Sequence, residues 1–193
     1  MSKIGLIDVD GHNFPNLALM KLSSWHKREG DSVEWYSGIE HYDRVYMSKV
    51  FAFTPDDLRV IQADEVVKGG SGYKMYDQTL PNEVEHICPD YSLYPMYNDA
   101  YGFLTRGCVN QCSFCIVPRK EGFIRKHADI TEFLSGRQSA TLMDNNVIAS
   151  DWGLNQIEKI ISLNVKVDFN QGLDCRIIAK DKNIAHLLSH VKW

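Results

Sequence analysis

Three of the chain's five cysteines, Cys108, Cys112 and Cys115, stand in one short run, Gly107-Cys108-Val109-Asn110-Gln111-Cys112-Ser113-Phe114-Cys115, with the spacing C-x3-C-x2-C. A loop of this length can turn three thiolates toward one point, and soft thiolates select zinc, copper(I) or iron–sulfur clusters. Three ligands are one too few for a closed tetrahedral zinc site. They are also one too few to cap every iron of a four-iron, four-sulfur cluster. On the second reading the shortfall is informative, because it leaves one iron open to an outside ligand. Two readings without catalysis stand beside it: half of a zinc site completed by His127 or Cys88, and a redox-sensing thiol group.

Tyr101-Gly102-Phe103-Leu104-Thr105 is a short apolar run that predicts a strand leading into the loop. Ile116-Val117-Pro118-Arg119 carries the chain on into a basic segment. From Thr105-Arg106-Gly107-Cys108 to Pro118 the sequence resembles the cluster loop of radical S-adenosylmethionine (SAM) enzymes, among them the methylthiotransferases and the cobalamin-type members. Phe114, just before the last cysteine, matches that family's usual aromatic. The resemblance implies that Cys108, Cys112 and Cys115 hold a 4Fe-4S cluster, with Phe114 at the cofactor. It further implies that SAM chelates the open iron through its amino and carboxylate groups. A flavodoxin or ferredoxin-type reductant would supply the electron, and a 5′-deoxyadenosyl radical would take a hydrogen atom from a substrate that the sequence does not identify. Methylthiolation is not expected: those enzymes carry a second cluster on three N-terminal cysteines, and residues 1–100 hold only Cys88.

The elements that must position this loop are legible downstream. Asp129 predicts a helix cap, with Ile130, Phe133 and Leu134 on one helical face. Ala140-Thr141-Leu142-Met143 predicts a strand ended by Asp144-Asn145-Asn146. Ile157, Ile160 and Ile161 mark the next helix. Val165, Val167 and Phe169 alternate as a further strand, ended by Asn170-Gln171-Gly172, and Ile184, Leu187, Leu188 and Val191 form another helical stripe. Repeated βα units imply a parallel sheet with right-handed crossovers, whose active groups gather at the C-terminal ends of strands. Asp144 and Asn145 stand where radical SAM barrels often carry the Gly-Gly-Glu that takes the amino group of SAM. Asp174 and Arg176 are candidates for its carboxylate or ribose, or for a rim ion pair. His190-Val191-Lys192-Trp193 reads as the opening of another strand, so the barrel is expected to be partial.

The N-terminal half reads as strand, helix, strand. Ile4-Gly5-Leu6-Ile7-Asp8-Val9 is a buried strand, followed by a helix with Pro15 in its first turn and Ala18, Leu22 and Trp25 on its face, capped by Gly30. Ser32–Tyr36, Arg44–Phe51 and Glu65–Lys68 are further strands, and Thr54-Pro55-Asp56-Asp57 predicts a helix start. The expected class is α/β: a Rossmann-like parallel domain over 1–76, a proline-broken linker over 77–99, and a partial radical SAM (β/α) barrel over 100–193. The first half resembles the cobalamin-binding-like domain that precedes many such barrels. Asp10-Gly11-His12 matches part of the Asp-x-His-x-x-Gly cobalt-ligand motif, with Pro15 in place of its glycine, and Gly69-Gly70 falls where a glycine pair borders the corrin. Cobalamin is possible on this resemblance, but a loop histidine and a scaffold domain are the preferred reading.

Composition bounds the rest. A net charge of −4 gives no general attraction to nucleic acid. Arg119, Lys120, Arg125 and Lys126 are too few for strong phosphate binding on their own and read as a solvated basic face. No membrane-length apolar run and no signal-peptide core are present, and the odd cysteine count suits a reducing compartment. The expectation is a cytoplasmic radical SAM enzyme. A non-catalytic zinc or iron–sulfur module is the alternative.

Overall fold

Ile4 and Leu6 point to one face of the first strand and Ile7 to the other, and all three are buried, the pattern of a strand covered on both sides. This strand is β1 (Lys3–Asp8), and it lies inside a four-stranded parallel sheet in the order β2-β1-β3-β4. Its partners are β2 (Ser32–Trp35), β3 (Tyr42–Ser48) and β4 (Ala63–Gly69). The computed structural model describes residues 1–193 and separates into two units, Met1–Tyr97 and Asn98–Trp193.

Helix α1 (Leu17–Arg28) begins at Asn16, whose side-chain oxygen accepts the Leu19 N–H at 3.3 Å. The cap is therefore Asn16, and Pro15 precedes it instead of occupying the first turn. Leu19, Met20 and Leu22 pack on Ile4 and Leu6. The helix expected from Thr54 is absent, and residues 49–62 cross irregularly from β3 to β4. The local helix signals are spent elsewhere. Thr54 Oγ1 donates to Asp10 at 2.5 Å, and Asp57 is held by Arg59, two residues on. Leu58 and Val60 are exposed, so no apolar face holds a helix down.

The proline-broken stretch after residue 76 contains the single-turn helix α2 (Asn82–Glu85) and packs on this first unit. Val84, Leu93 and Tyr94 enter the same cluster as Ile4 and Leu19. Buried Lys21 donates to the Glu85 carbonyl, Ser23 to Asp90 at 2.6 Å, and Ser24 to the Cys88 carbonyl at 2.6 Å.

In the second unit, β5 (Ala100–Gly102), β8 (Ser139–Leu142) and β9 (Lys166–Phe169) form a parallel sheet in the order β5-β8-β9. Between them β6 (Thr105–Arg106) and β7 (Arg125–Lys126) make a separate antiparallel ribbon. The apolar run read as one strand is thus broken in two. A Cβ on Gly102 would stand 2.6 Å from the Phe133 ring, so the backbone sits tight under α4 (Ile130–Leu134), and the next donors turn toward Asp144. The remaining helices are α3 (Val117–Lys120), α5 (Asp151–Ser162), α6 (Cys175–Lys180) and α7 (Lys182–Leu188). Ile157, Ile160, Ile184 and Leu188 are buried as the periodicity predicts, and Lys192 bridges Lys166 in parallel, as the start of another strand does.

Asp129 caps α4 as expected and also binds α5. It accepts from Thr131 N–H at 3.0 Å, Gln156 Nε2 at 3.1 Å and Lys159 Nζ at 2.6 Å. Burial raises its pKa, but the Lys159, Thr131 and Gln156 bonds outweigh that and hold the carboxyl well below the usual range. A depressed acid contributes stability above its unfolded pKa and loses it as pH falls through the folded one. The melting-temperature gap between wild type and Asp129→Asn is therefore expected to be constant above about pH 5 and to shrink progressively below about pH 4. A gap that stays constant through acid would contradict this.

Candidate metal and cofactor site

The cysteine run occupies the excursion between β6 and β7. Gly107 opens it at φ +82°, where a Cβ would lie 2.2 Å from the Phe123 carbonyl oxygen, so only glycine fits. The two sides are closed by Cys108 N–H donating to the Gly122 carbonyl at 3.2 Å and Gly107 N–H donating to Glu121 Oε2 at 2.9 Å. All five cysteines are free thiols. Cys108 and Cys112 are half-buried and Cys115 is exposed.

The donor chemistry fits a soft metal group. Three thiols share one loop, and backbone N–H groups of Asn110 and Val117 donate to the Cys108 and Cys115 sulfurs at 3.5 and 3.4 Å. The arrangement does not bring three His, Cys, Asp or Glu groups together as a metal site, so the three thiols share a loop without converging on one point. The His127 ring packs edge-on near Phe103, with centroids 6.4 Å apart. Phe114 is 91 % exposed.

Beside the loop, a cavity of about 260 Å³ opens at the carboxyl ends of β8 and β9. It is lined by Asn110, Asn145, Asn146, Gln171, Gly172, Leu173, Asp174 and Arg176. The structure thus gathers Asn145, Asp174 and Arg176 with a residue of the cysteine loop. Asn146 is 2 % exposed, and neither its Nδ2 nor its Oδ1 has a hydrogen-bond partner. A buried amide with both ends unpaired costs free energy unless something supplies partners.

Asp144 plays a different part from its neighbours. It is buried beneath the rim, where Oδ2 accepts from Leu104 N–H at 3.0 Å. Its Oδ1 accepts from Thr105 N–H at 2.5 Å and Thr105 Oγ1 at 2.6 Å. Burial pushes its carboxyl pKa up, against the pull of these bonds. Asp144 is not among the cavity's lining residues, and it fixes the backbone from which β6 starts.

Asp174 caps α6 and pairs with Arg176, at 2.8 Å to Nε and 2.7 Å to Nη2. The Arg176 bond and a 3.1 Å bond from Asn110 Nδ2 hold Asp174 well below the usual carboxylate range. Arg176 is correspondingly held above its ordinary value, by Asp174 first and by the nearby Cys112 and Cys175 sulfurs to a smaller degree. Asp174 thus ties the cysteine loop to the end of β9. Gln171 lines the cavity at the strand end where the sequence placed it, whereas Asn110 and Glu121 were not singled out as site residues. Asn110 lies inside the cysteine run, which is a usable signal, while Glu121 carries none.

In the first unit, the pieces of the cobalt-ligand motif are engaged otherwise. Asp10 accepts from Val50 N–H, Phe51 N–H and Thr54, and the exposed His12 ring rests on Trp35 with centroids 4.2 Å apart. Gly70 has φ +104°, and a Cβ there would meet the Lys49 carbonyl oxygen at 2.3 Å, so this glycine serves a backbone approach. The residues do not fit a carboxylate-oriented His12 ligand to cobalt.

No family model matches the sequence, and no curated protein matches it. Among solved structures, the chain is similar over its whole length to the radical S-adenosylmethionine methyltransferase TsrM from Kitasatospora setae, whose structure has cobalamin and a 4Fe-4S cluster bound. The TM-score is 0.64 at 12 % identity, and the chain spans 57 % of that enzyme's length. At this identity the likeness establishes the fold, a mixed α/β architecture of parallel sheets shared with a radical SAM protein. No helix is long and apolar enough to cross a membrane.

Proposed function

We propose that this chain is a radical SAM protein in which Cys108, Cys112 and Cys115 hold a 4Fe-4S cluster and the adjoining cavity takes SAM. The observation that carries the reading is the unpaired, buried Asn146 amide in a polar cavity that the cysteine loop itself helps to line, through Asn110. The chemistry that a three-cysteine cluster supplies is an open iron for the amino and carboxylate groups of SAM, and an electron for reductive cleavage of its carbon–sulfur bond. The chain's own residues bind and orient. Asn145 offers its amide oxygen to an ammonium, and the unpaired Asn146 amide offers an oxygen to an ammonium or hydrogens to a carboxylate. Arg176, anchored by Asp174, sets a positive charge on the rim. Phe114, exposed on the same loop, would offer an apolar surface to the cofactor. The electron comes from a flavodoxin or ferredoxin-type partner in a reducing cytoplasm. The fold neighbour's methyl transfer is one candidate outcome, with a cobalamin that His12 does not ligate.

Anaerobic reconstitution tests this. The expected product is brown protein with about four irons per chain that forms 5′-deoxyadenosine from SAM after reduction. Colourless protein holding one tightly bound zinc would instead establish the structural-metal alternative.

A further inference from the structure

Glu121 follows the last turn of α3 and has no part in the reading above. Its side chain is only 8 % exposed. Oε2 accepts from two donors on different elements, Gly107 N–H at 2.9 Å and Asn145 Nδ2 at 3.0 Å, while Oε1 faces Arg106 Nη1 at 3.5 Å. One donor opens the cysteine loop and the other lines the cavity at the end of β8. A carboxylate accepts and cannot donate, so it selects the amino end of the Asn145 amide. The Asn145 Oδ1 is thereby left as the acceptor for a ligand. Buried sharing of this kind makes a shift in either donor costly to the other, because a displaced donor is left unsatisfied.

We propose that Glu121 is a positioning residue that couples the cysteine loop to the cavity, holding Gly107 and the Asn145 amide in one frame so that loop closure and amide orientation change together. The identity of the ligand in this proposal rests on the SAM reading; the coupling itself does not.

Glu121→Gln in the full chain tests it. The glutamine is isosteric but carries a donor, so it no longer dictates which end of Asn145 faces it. In the apo protein, deuterium exchange at the Gly107 amide is expected to quicken about tenfold, and the Asn145 side-chain amide resonances to shift. In reconstituted protein, iron content should match wild type while the dissociation constant for SAM rises about tenfold or more. Asn145→Ala should weaken SAM similarly, and the double variant should be no weaker than Asn145→Ala alone, since both act through one amide. Should Glu121→Gln fail to fold, Asn145→Ala must both weaken SAM and alter Gly107 exchange. Unchanged Gly107 and Asn145 signals overturn the coupling, as do fully additive losses in SAM affinity. A wild type that loads iron and binds no SAM overturns the ligand reading instead.

Discussion

Cys108→Ser, Cys112→Ser and Cys115→Ser are each expected to abolish cluster loading, while Cys88→Ser and Cys175→Ser keep it. Iron should fall from about four per chain to below one in each of the three variants, with 5′-deoxyadenosine formation at background. The expectation is this sharp because the donor set has no reserve. The chain holds no assembled group of three or more ligating side chains that could stand in for a lost loop cysteine, and a serine hydroxyl is a poor, hard replacement for a thiolate. Cys175 is the one cysteine that could complicate the pattern, since it is exposed and its sulfur lies near Arg176, as that of Cys112 does. Loss of iron in Cys175→Ser, or full retention in any one of the three loop variants, would move the ligand assignment.

The largest effect on stability is expected at Asp144. Asp144→Ala leaves two buried backbone N–H groups and the Thr105 hydroxyl without their acceptor. Each of the three unsatisfied donors costs roughly 1 to 3 kcal/mol, so a loss of about 3 kcal/mol or more is expected. That is a large fraction of the ~5–15 kcal/mol that holds a typical domain together. Asp144→Asn retains one acceptor oxygen and should fall between. Trp152 is a convenient reporter: its indole N–H donates to the Leu104 carbonyl at 3.0 Å, beside the backbone that Asp144 holds. Denaturant melts followed by tryptophan fluorescence would measure the series. A loss under about 1 kcal/mol in Asp144→Ala would mean that water replaces the carboxylate and that the rim is looser than its contacts suggest.

What the sequence disclosed follows from how local each signal is. The strand of Ile4 to Ile7, the Asp129 cap and the isoleucine stripe of α5 are short-range patterns that tertiary structure reinforces, so they were readable. Thr54 carried an equally good local signal for a helix, and it failed because Asp10, distant in sequence, claims its hydroxyl. The cysteine run was conspicuous by spacing alone. Asp144, Asn145 and Asn146 were found together at a strand end, but their division of labour was not legible. Only the fold shows that the first is consumed by the backbone of Leu104 and Thr105 while the third is left unpaired. Glu121 was invisible for the same reason: its partners come from positions 107 and 145, which no sequence window joins.

The β6–β7 ribbon pairs through only two rungs, Thr105 with Lys126 and Arg106 with Arg125, and shares no ladder with the sheet of β5, β8 and β9. The thiol-bearing excursion is therefore mounted like a bracket on a wall, outside the masonry. Its span can lengthen or shorten without shifting the registration of the parallel strands, so a graft from a longer or shorter relative should be accommodated as long as those two rungs and the Glu121 clasp are kept.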